Sequence, residues 1–376
     1  MWTLVSLRRI AGIVIAAALA GCDDDARPSL TIQREAHTGT ANPTYAEAIR
    51  ESEVTVSDLT RESPAISVAV AVDGEVVWSA AFGFRDLESR APALPADRYR
   101  IYSLSKVITS TTMMKLVESG LMDLDAPVDR YVSGYPNPGN AITVRRLAGH
   151  LGGIRHYRGN EALWTRRCST PAEAVTVFRD DALLHDPGTK YLYSSWGYAL
   201  LSSAIENAAG LPFARTVDSL ALQPAGTRGI EPETLLKSTG TMVTPYEPDG
   251  DSVRIARPVD NSCKWGAGAF VASSGEMARF ASALLAGRIV SKQSLETMLA
   301  PMQTGDGSST DYGMGIGASK DSIGRRQAVH TGSAIGGRAA LYMLPDERVV
   351  VVLLSNVEGD RLSGSAAKIA DRFARR

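Results

Sequence analysis

Ser103-Leu104-Ser105-Lys106 places a hydroxyl three residues ahead of an amine. If Ser103 opens a helix, positions 103 and 106 share one face and the two groups meet. A serine hydroxyl is a poor nucleophile until a base takes its proton. A lysine serves as that base when burial or a nearby cation lowers its pKa. The start of a helix also offers free N–H groups to a developing anion. Alone, the pattern also fits a solvated helix turn. Here it runs into Val107, Ile108, Met113, Met114, Leu116 and Val117, which make a mostly buried helix. A lysine at its first turn must then snorkel out, be paired or line a cleft.

Two later segments add groups of the right kind. Tyr193-Ser194-Ser195 follows the turn Asp186-Pro187-Gly188-Thr189, and its phenol could accept or relay a proton. His330-Thr331-Gly332-Ser333 reads as a strand carrying a histidine and then small residues, fit for the opposite wall of a site. Gly332 would admit a substrate closely, and the next N–H could face an oxyanion. Taken singly, the first is equally a surface loop and the second a sheet edge.

The elements that must hold these groups are legible in outline. Residues 65–72 and 75–82 are apolar runs around Asp73-Gly74, a strong hairpin turn pair. Residues 339–343 and 349–354 flank Pro345-Asp346-Glu347-Arg348 as a second hairpin. Between the hairpins, residues 106–118, 143–151, 172–180, 197–209 and 275–285 carry helical patterns. Further helices are expected over 45–53 and 364–372. Hairpins at both ends predict one antiparallel sheet shared by the terminal segments, with an inserted helical lobe and a groove between them.

The three ordered motifs resemble the serine β-lactamase and penicillin-binding protein superfamily. The class C-like branch is the nearest in pattern, and in particular the mitochondrial serine β-lactamase-like group and its bacterial relatives. Ile142-Thr143-Val144-Arg145-Arg146-Leu147, His150-Leu151-Gly152-Gly153-Ile154-Arg155-His156-Tyr157 and Pro187-Gly188-Thr189-Lys190 carry that finer likeness. So do Val259-Asp260-Asn261-Ser262 and Lys264-Trp265. The resemblance runs from Pro64 to Leu354. It implies an α/β fold of the β-lactamase/transpeptidase type, with an antiparallel sheet from the N- and C-terminal segments flanked by helices.

The resemblance also assigns roles. Ser103 is the acylated serine, Lys106 its partner amine and Tyr193 the catalytic tyrosine. Ser195 ends the second motif, and His330, Thr331 and Gly332 form the wall triplet. The backbone N–H groups of Ser103 and Ser333 form the oxyanion hole. Ser105 is a secondary position, and turns near Gly152-Gly153 are expected to touch ligand. The implied activity is a peptidase or esterase working through an acyl-enzyme, with cell-wall peptides as a plausible substrate. A β-lactamase is the same-class alternative, and a non-catalytic binding or structural protein on the same scaffold is the other. Histidine in place of the usual lysine at 330 provides no fixed cation for a substrate carboxylate. Ser195 in place of asparagine cannot copy both arms of an amide. Both departures favour ester or peptide substrates over lactams.

Composition narrows the partners. The 376 residues are 44% hydrophobic and carry a formal net charge of -1, which excludes neither a large core nor one composite domain. No basic block suggests nucleic acid. The five histidines are scattered without His-x-x-x-His or Cys-x-x-Cys, so no metal site is expected, and the chemistry needs no cofactor. Remaining histidines and tryptophans have plainer readings. His156 is either a substrate contact or a loop hydrogen-bonder, His185 is structural, and Trp196 and Trp265 are packing residues.

The first residues read as an export signal. Arg8 and Arg9 precede an apolar run over residues 10–20, shorter than the roughly 20 residues a membrane span needs. Leu19-Ala20-Gly21-Cys22 resembles a bacterial lipobox, which implies cleavage before Cys22 and lipid on its thiol. The expected organisation is a signal over 1–21, a polar tether over 22–40 and the hydrolase domain over 41–376. Such a protein would be exported and anchored through Cys22 to a bilayer, facing the periplasm. Cys168 and Cys263 would remain, and could form one bridge if the fold brings them together.

Overall fold

The computed structural model describes residues 36–233, 241–359 and 361–375. Cys22 and the signal stretch lie outside them. The main sheet is built from β1 (Ala36–Ala41), β2 (Ala65–Val72), β3 (Glu75–Asp86), β4 (Gly317–Lys320), β5 (Arg326–Ala334), β6 (Gly337–Leu344) and β7 (Val349–Ser355). Their spatial order is β1-β3-β2-β7-β6-β5-β4, antiparallel throughout. Both expected hairpins form. They meet at β2 and β7, where Ala69 lies opposite Val352. The terminal segments therefore share one sheet, as their patterns predict.

β2 shows why its sequence is an unbroken apolar run. Ile66, Val68, Val70 and Val72 point to one face, and Ala65, Ala69 and Ala71 to the other. The large side chains pack with Trp78, Phe82 and two helices, α1 (Ala46–Leu59) and, at the chain end, Leu362–Ala374, through Val56, Ile369 and Phe373. The alanine face admits the helix Ser274–Leu285 closely, and Ser67 and Ser274 hydroxyls bond across it at 2.7 Å. Each fully buried valine or isoleucine contributes roughly 1.5–3 kcal/mol.

The helical lobe sits between β3 and β4 in sequence. Its axis is α2 (Ser105–Glu118), which is buried on nearly all sides. Thr109, Thr111 and Thr112 satisfy their buried hydroxyls on the carbonyls of Ser105, Val107 and Ile108, one turn back. α3 (Ser195–Ala209) packs on α2.

Some expected elements come out differently. The helices expected over 143–151 and 172–180 shrink to Val144–Ala148 and Pro171–Val175. The first stops at Gly149, and His150 then takes a positive φ of 60° that ends helical hydrogen bonding. The last residues of the stretch read as tether are strand, since β1 begins at Ala36 and pairs with β3. That edge strand is mostly exposed, so no alternating apolar pattern marks it.

Candidate active site

Ser103 sits in a single 3₁₀ turn, Tyr102–Leu104, that leads directly into α2. Tyr102 enters this turn with φ 45°, a costly conformation for an aromatic residue. Its phenol donates to the Ile335 carbonyl beyond β5, which ties the turn to the sheet. One turn on, Lys106 is fully buried. Its Nζ lies 3.1 Å from Ser103 Oγ, 3.2 Å from Ser195 Oγ and 2.7 Å from the Ala267 carbonyl oxygen. A neutral amine has two N–H donors and one lone pair. The carbonyl can only accept, the Ser195 hydroxyl takes the second N–H, and the lone pair is left for Ser103. Burial, and then the charge of Lys264, hold Lys106 well below the ordinary lysine range.

Tyr193 stands over this pair. Its ring centroid is 4.9 Å from Lys106 Nζ. Burial raises the phenol above its ordinary value, against a smaller lowering influence of Ser103. Tyr193 is thus a neutral phenol near pH 7, and the lysine is the group with a lone pair to offer.

The tyrosine is aimed by the start of α3. Ser194 caps the helix, accepting from Gly197 N–H at 2.9 Å and donating to the Arg155 carbonyl at 2.7 Å. His150 Nδ1 accepts from Ser194 N–H at 3.2 Å, and His156 Nδ1 from Ser195 N–H at 3.0 Å. Two histidines therefore clamp the Tyr-Ser-Ser turn. Arg155 anchors the loop that carries them, paired with Glu161 at 2.6 Å and with Asp181. Trp196 Nε1 donates to Glu161 at 2.9 Å.

The wall strand β5 closes the site from the sheet side. A Cβ on Gly332 would collide with the Ile101 carbonyl and lie 2.9 Å from Ser103 N, so only glycine allows this approach. Thr331 and Ser333 line the cleft. His330 does not. Side chains alternate along a strand, and His330 falls on the buried side. There its Nε2 accepts from the Tyr312 hydroxyl at 2.9 Å, and its Nδ1 donates to the Thr331 carbonyl at 2.8 Å. Both nitrogens are engaged in a neutral ring. Burial is the leading cause that lowers its pKa to about 3.

The resulting cleft has a volume of about 370 Å³. Ser103, Tyr193, Ser195, Thr331 and Ser333 all border it, and so does His156. Ser105 lies outside it, its hydroxyl turned to the Phe270 N–H at 3.4 Å. Gly153 is used for packing, since a Cβ there would strike the His185 carbonyl. His185 bonds the Asp186 carbonyl at 2.9 Å on the surface. Trp196 stacks on Phe178, and Trp265 meets Phe213 edge-on, both as packing.

Sequence reasoning missed Tyr312, the Ala267 carbonyl and the bridge between Arg155 and Glu161. The first stands in a glycine-rich loop with no period, and the second is backbone.

The chain matches the Beta-lactamase family over residues 47–375. It belongs to that family. The mitochondrial serine beta-lactamase-like protein LACTB of Homo sapiens is 27% identical, covering 88% of this chain and 80% of the relative. Penicillin-binding protein 4* of Bacillus subtilis is 26% identical over 78% of this chain and 68% of its own. The octameric penicillin-binding protein homologue from Pyrococcus abyssi superposes with a TM-score of 0.71 at 26% identity, over 87% of this chain and 75% of that one. This member of the beta-lactamase family is a serine-hydrolase-type enzyme, with a site suited to amide and ester substrates.

Proposed function

We propose that the enzyme hydrolyses small carboxylic esters and peptide amides through an acyl-enzyme on Ser103. The observation that carries this reading is Lys106, fully buried and within 3.1 Å of Ser103 Oγ, with its other two partners on Ser195 and Ala267. The lone pair of Lys106 takes the Ser103 proton as Oγ attacks the carbonyl carbon. The backbone N–H groups of Ser103 and Ser333 receive the oxyanion. Collapse expels the alcohol or amine, which takes the proton from Lys106 by way of the Tyr193 hydroxyl. Water then adds to the acyl carbon and passes a proton to Lys106 by the same route; collapse breaks the acyl–Oγ bond, and Lys106 returns that proton to Ser103.

Peptide substrates draw support from the names of two relatives. The D-aminopeptidase of Brucella anthropi is 29% identical over 79% of this chain, and the Bacillus subtilis relative is a penicillin-binding protein. We place the enzyme outside the cytoplasm, lipid-anchored at Cys22 and facing the periplasm, with cell-wall peptides within reach. The disulfide between Cys168 and Cys263 supports an oxidising compartment.

The test is intact-mass analysis after exposure to a fluorophosphonate, an activated ester and a peptide panel. Wild type should gain one adduct. Ser103→Ala should gain none while keeping its melting temperature, because the change removes one hydroxyl at a cleft and leaves no large cavity. Equal labelling of the two proteins would remove Ser103 from the role.

A further inference from the structure

Lys264 borders the cleft, and the reaction just described leaves it without a task. It lies in the turn Ser262–Ala267, is 6% exposed, and borders the same cleft as Ser103. Its Nζ donates to the Ala162 carbonyl at 2.8 Å and sits 5.5 Å from the centroid of the Tyr102 ring. An ammonium has three donors, and this one has a single hydrogen-bond acceptor. No carboxylate among the described residues lies within 4.0 Å of it. Glu233 is the acid whose charge acts on it, and that acid is already taken. Arg100 holds Glu233 through Nε and Nη2, at 3.0 and 2.7 Å, and Asn261 Nδ2 donates to it at 2.6 Å.

A buried cation without a counter-charge is costly. The cost makes sense where a ligand supplies the missing anion. The position is also fixed from both sides. Cys263, the preceding residue, is bonded to Cys168, and Ala162 belongs to the loop that leads to Cys168. The fold thus fixes a lysine at the rim of the cleft that β5 also borders, and the His330 of β5 offers no charge.

We propose that Lys264 is the anion-recognition residue of this cleft and that the substrates are esters or amides bearing a carboxylate, which docks on the Lys264 ammonium while the scissile carbonyl lies at Ser103. This rests on the acyl-enzyme reading above and names its substrate class. Burial, and then the charge of Arg100, lowers the Lys264 pKa to about 8, so the cation is present at pH 7 and ready for a carboxylate. Glu358, which does border the cleft, has Glu247, Arg338 and Arg257 as its charged neighbours.

The experiment compares N-acetylglycine with its uncharged amide, N-acetylglycinamide, as ligands at pH 7. Binding is read by saturation-transfer NMR on the Ser103→Ala protein, and competition with turnover of a neutral nitrophenyl ester is read on the enzyme with Ser103. The acid should bind at least tenfold more tightly than the amide. Lys264→Gln should abolish that preference, and Lys264→Arg should keep it. Thermal melts establish that each variant is folded. Equal binding of acid and amide, or a preference that survives in Lys264→Gln, would overturn the proposal. The NMR arm needs no turnover. Absence of ester hydrolysis would therefore count against Ser103 chemistry, while the binding comparison alone decides the role of Lys264.

Discussion

Lys106 and Lys264 are coupled by charge. Lys264 is among the causes that hold the Lys106 pKa low. The base must be neutral to act, so kcat/KM for an uncharged ester should fall as pH drops and Lys106 gains its proton. Removing the neighbouring cation raises the Lys106 pKa. Lys264→Gln should therefore move the acid limb to higher pH, and a pH–rate profile with the limb unmoved would refute the coupling. His330, held to about 3, stays neutral across pH 5 to 9 and contributes no limb there. Its neutrality carries a second expectation. Benzylpenicillin has a ring carboxylate that a lysine at position 330 would hold; here the cation that borders the cleft is Lys264, carried by a different segment. Hydrolysis of a simple activated ester should exceed that of benzylpenicillin in kcat/KM across pH 6 to 8. A wild-type preference for penicillin throughout that range would make β-lactamase the better description.

At the scale of elements, the site is assembled where segments begin or end. Ser103 belongs to the turn that opens α2, Tyr193 precedes the cap of α3, and Thr331 and Ser333 stand near the end of β5. Such positions expose side chains while the rest of the element is locked by packing. The Lys264 turn lacks a long element and relies on a covalent tie. Cys168 and Cys263 are separated by 95 residues, and their Cα atoms lie 4.8 Å apart. A cross-link closing a loop of that length is worth roughly 4–5 kcal/mol by loss of unfolded-chain entropy. A Cys168→Ser/Cys263→Ser variant should lose stability of that order in urea unfolding. An unchanged midpoint would show that packing alone holds the turn.

In the whole molecule, the two chain ends meet in one sheet, and the lobe is an insertion between its strands. β2 and β7 are both buried on their two faces and form the centre of the sheet, while β1 lies at its edge. Mass spectrometry of protein extracted from membranes should find Cys22 as the first residue, acylated. A mature terminus elsewhere would end the lipoprotein reading.

The local sequence determined the hairpins, α2 and the Ser-x-x-Lys pair, because these depend on neighbours within one turn or one strand. Asp73-Gly74 reverses the chain whatever else is present, and a run of apolar residues after Lys106 has to be buried. The three motifs were legible together because the family resemblance set their order, while each alone fitted a plain loop or edge. What the residues do to one another was decided only by the tertiary structure. Lys106 is buried and held by partners 89 and 161 residues further on, at Ser195 and Ala267. His330 turns inward because the strand's alternation places Thr331 and Ser333 at the cleft, and the Tyr312 hydroxyl behind it donates to its ring. Lys264 was visible as part of a matching segment, but its charge acquires meaning only beside Ala162, Tyr102 and the Glu233 already taken by Arg100. Burial and long-range pairing set pKa values and orientation, and neither is written in the spacing of residues along the chain.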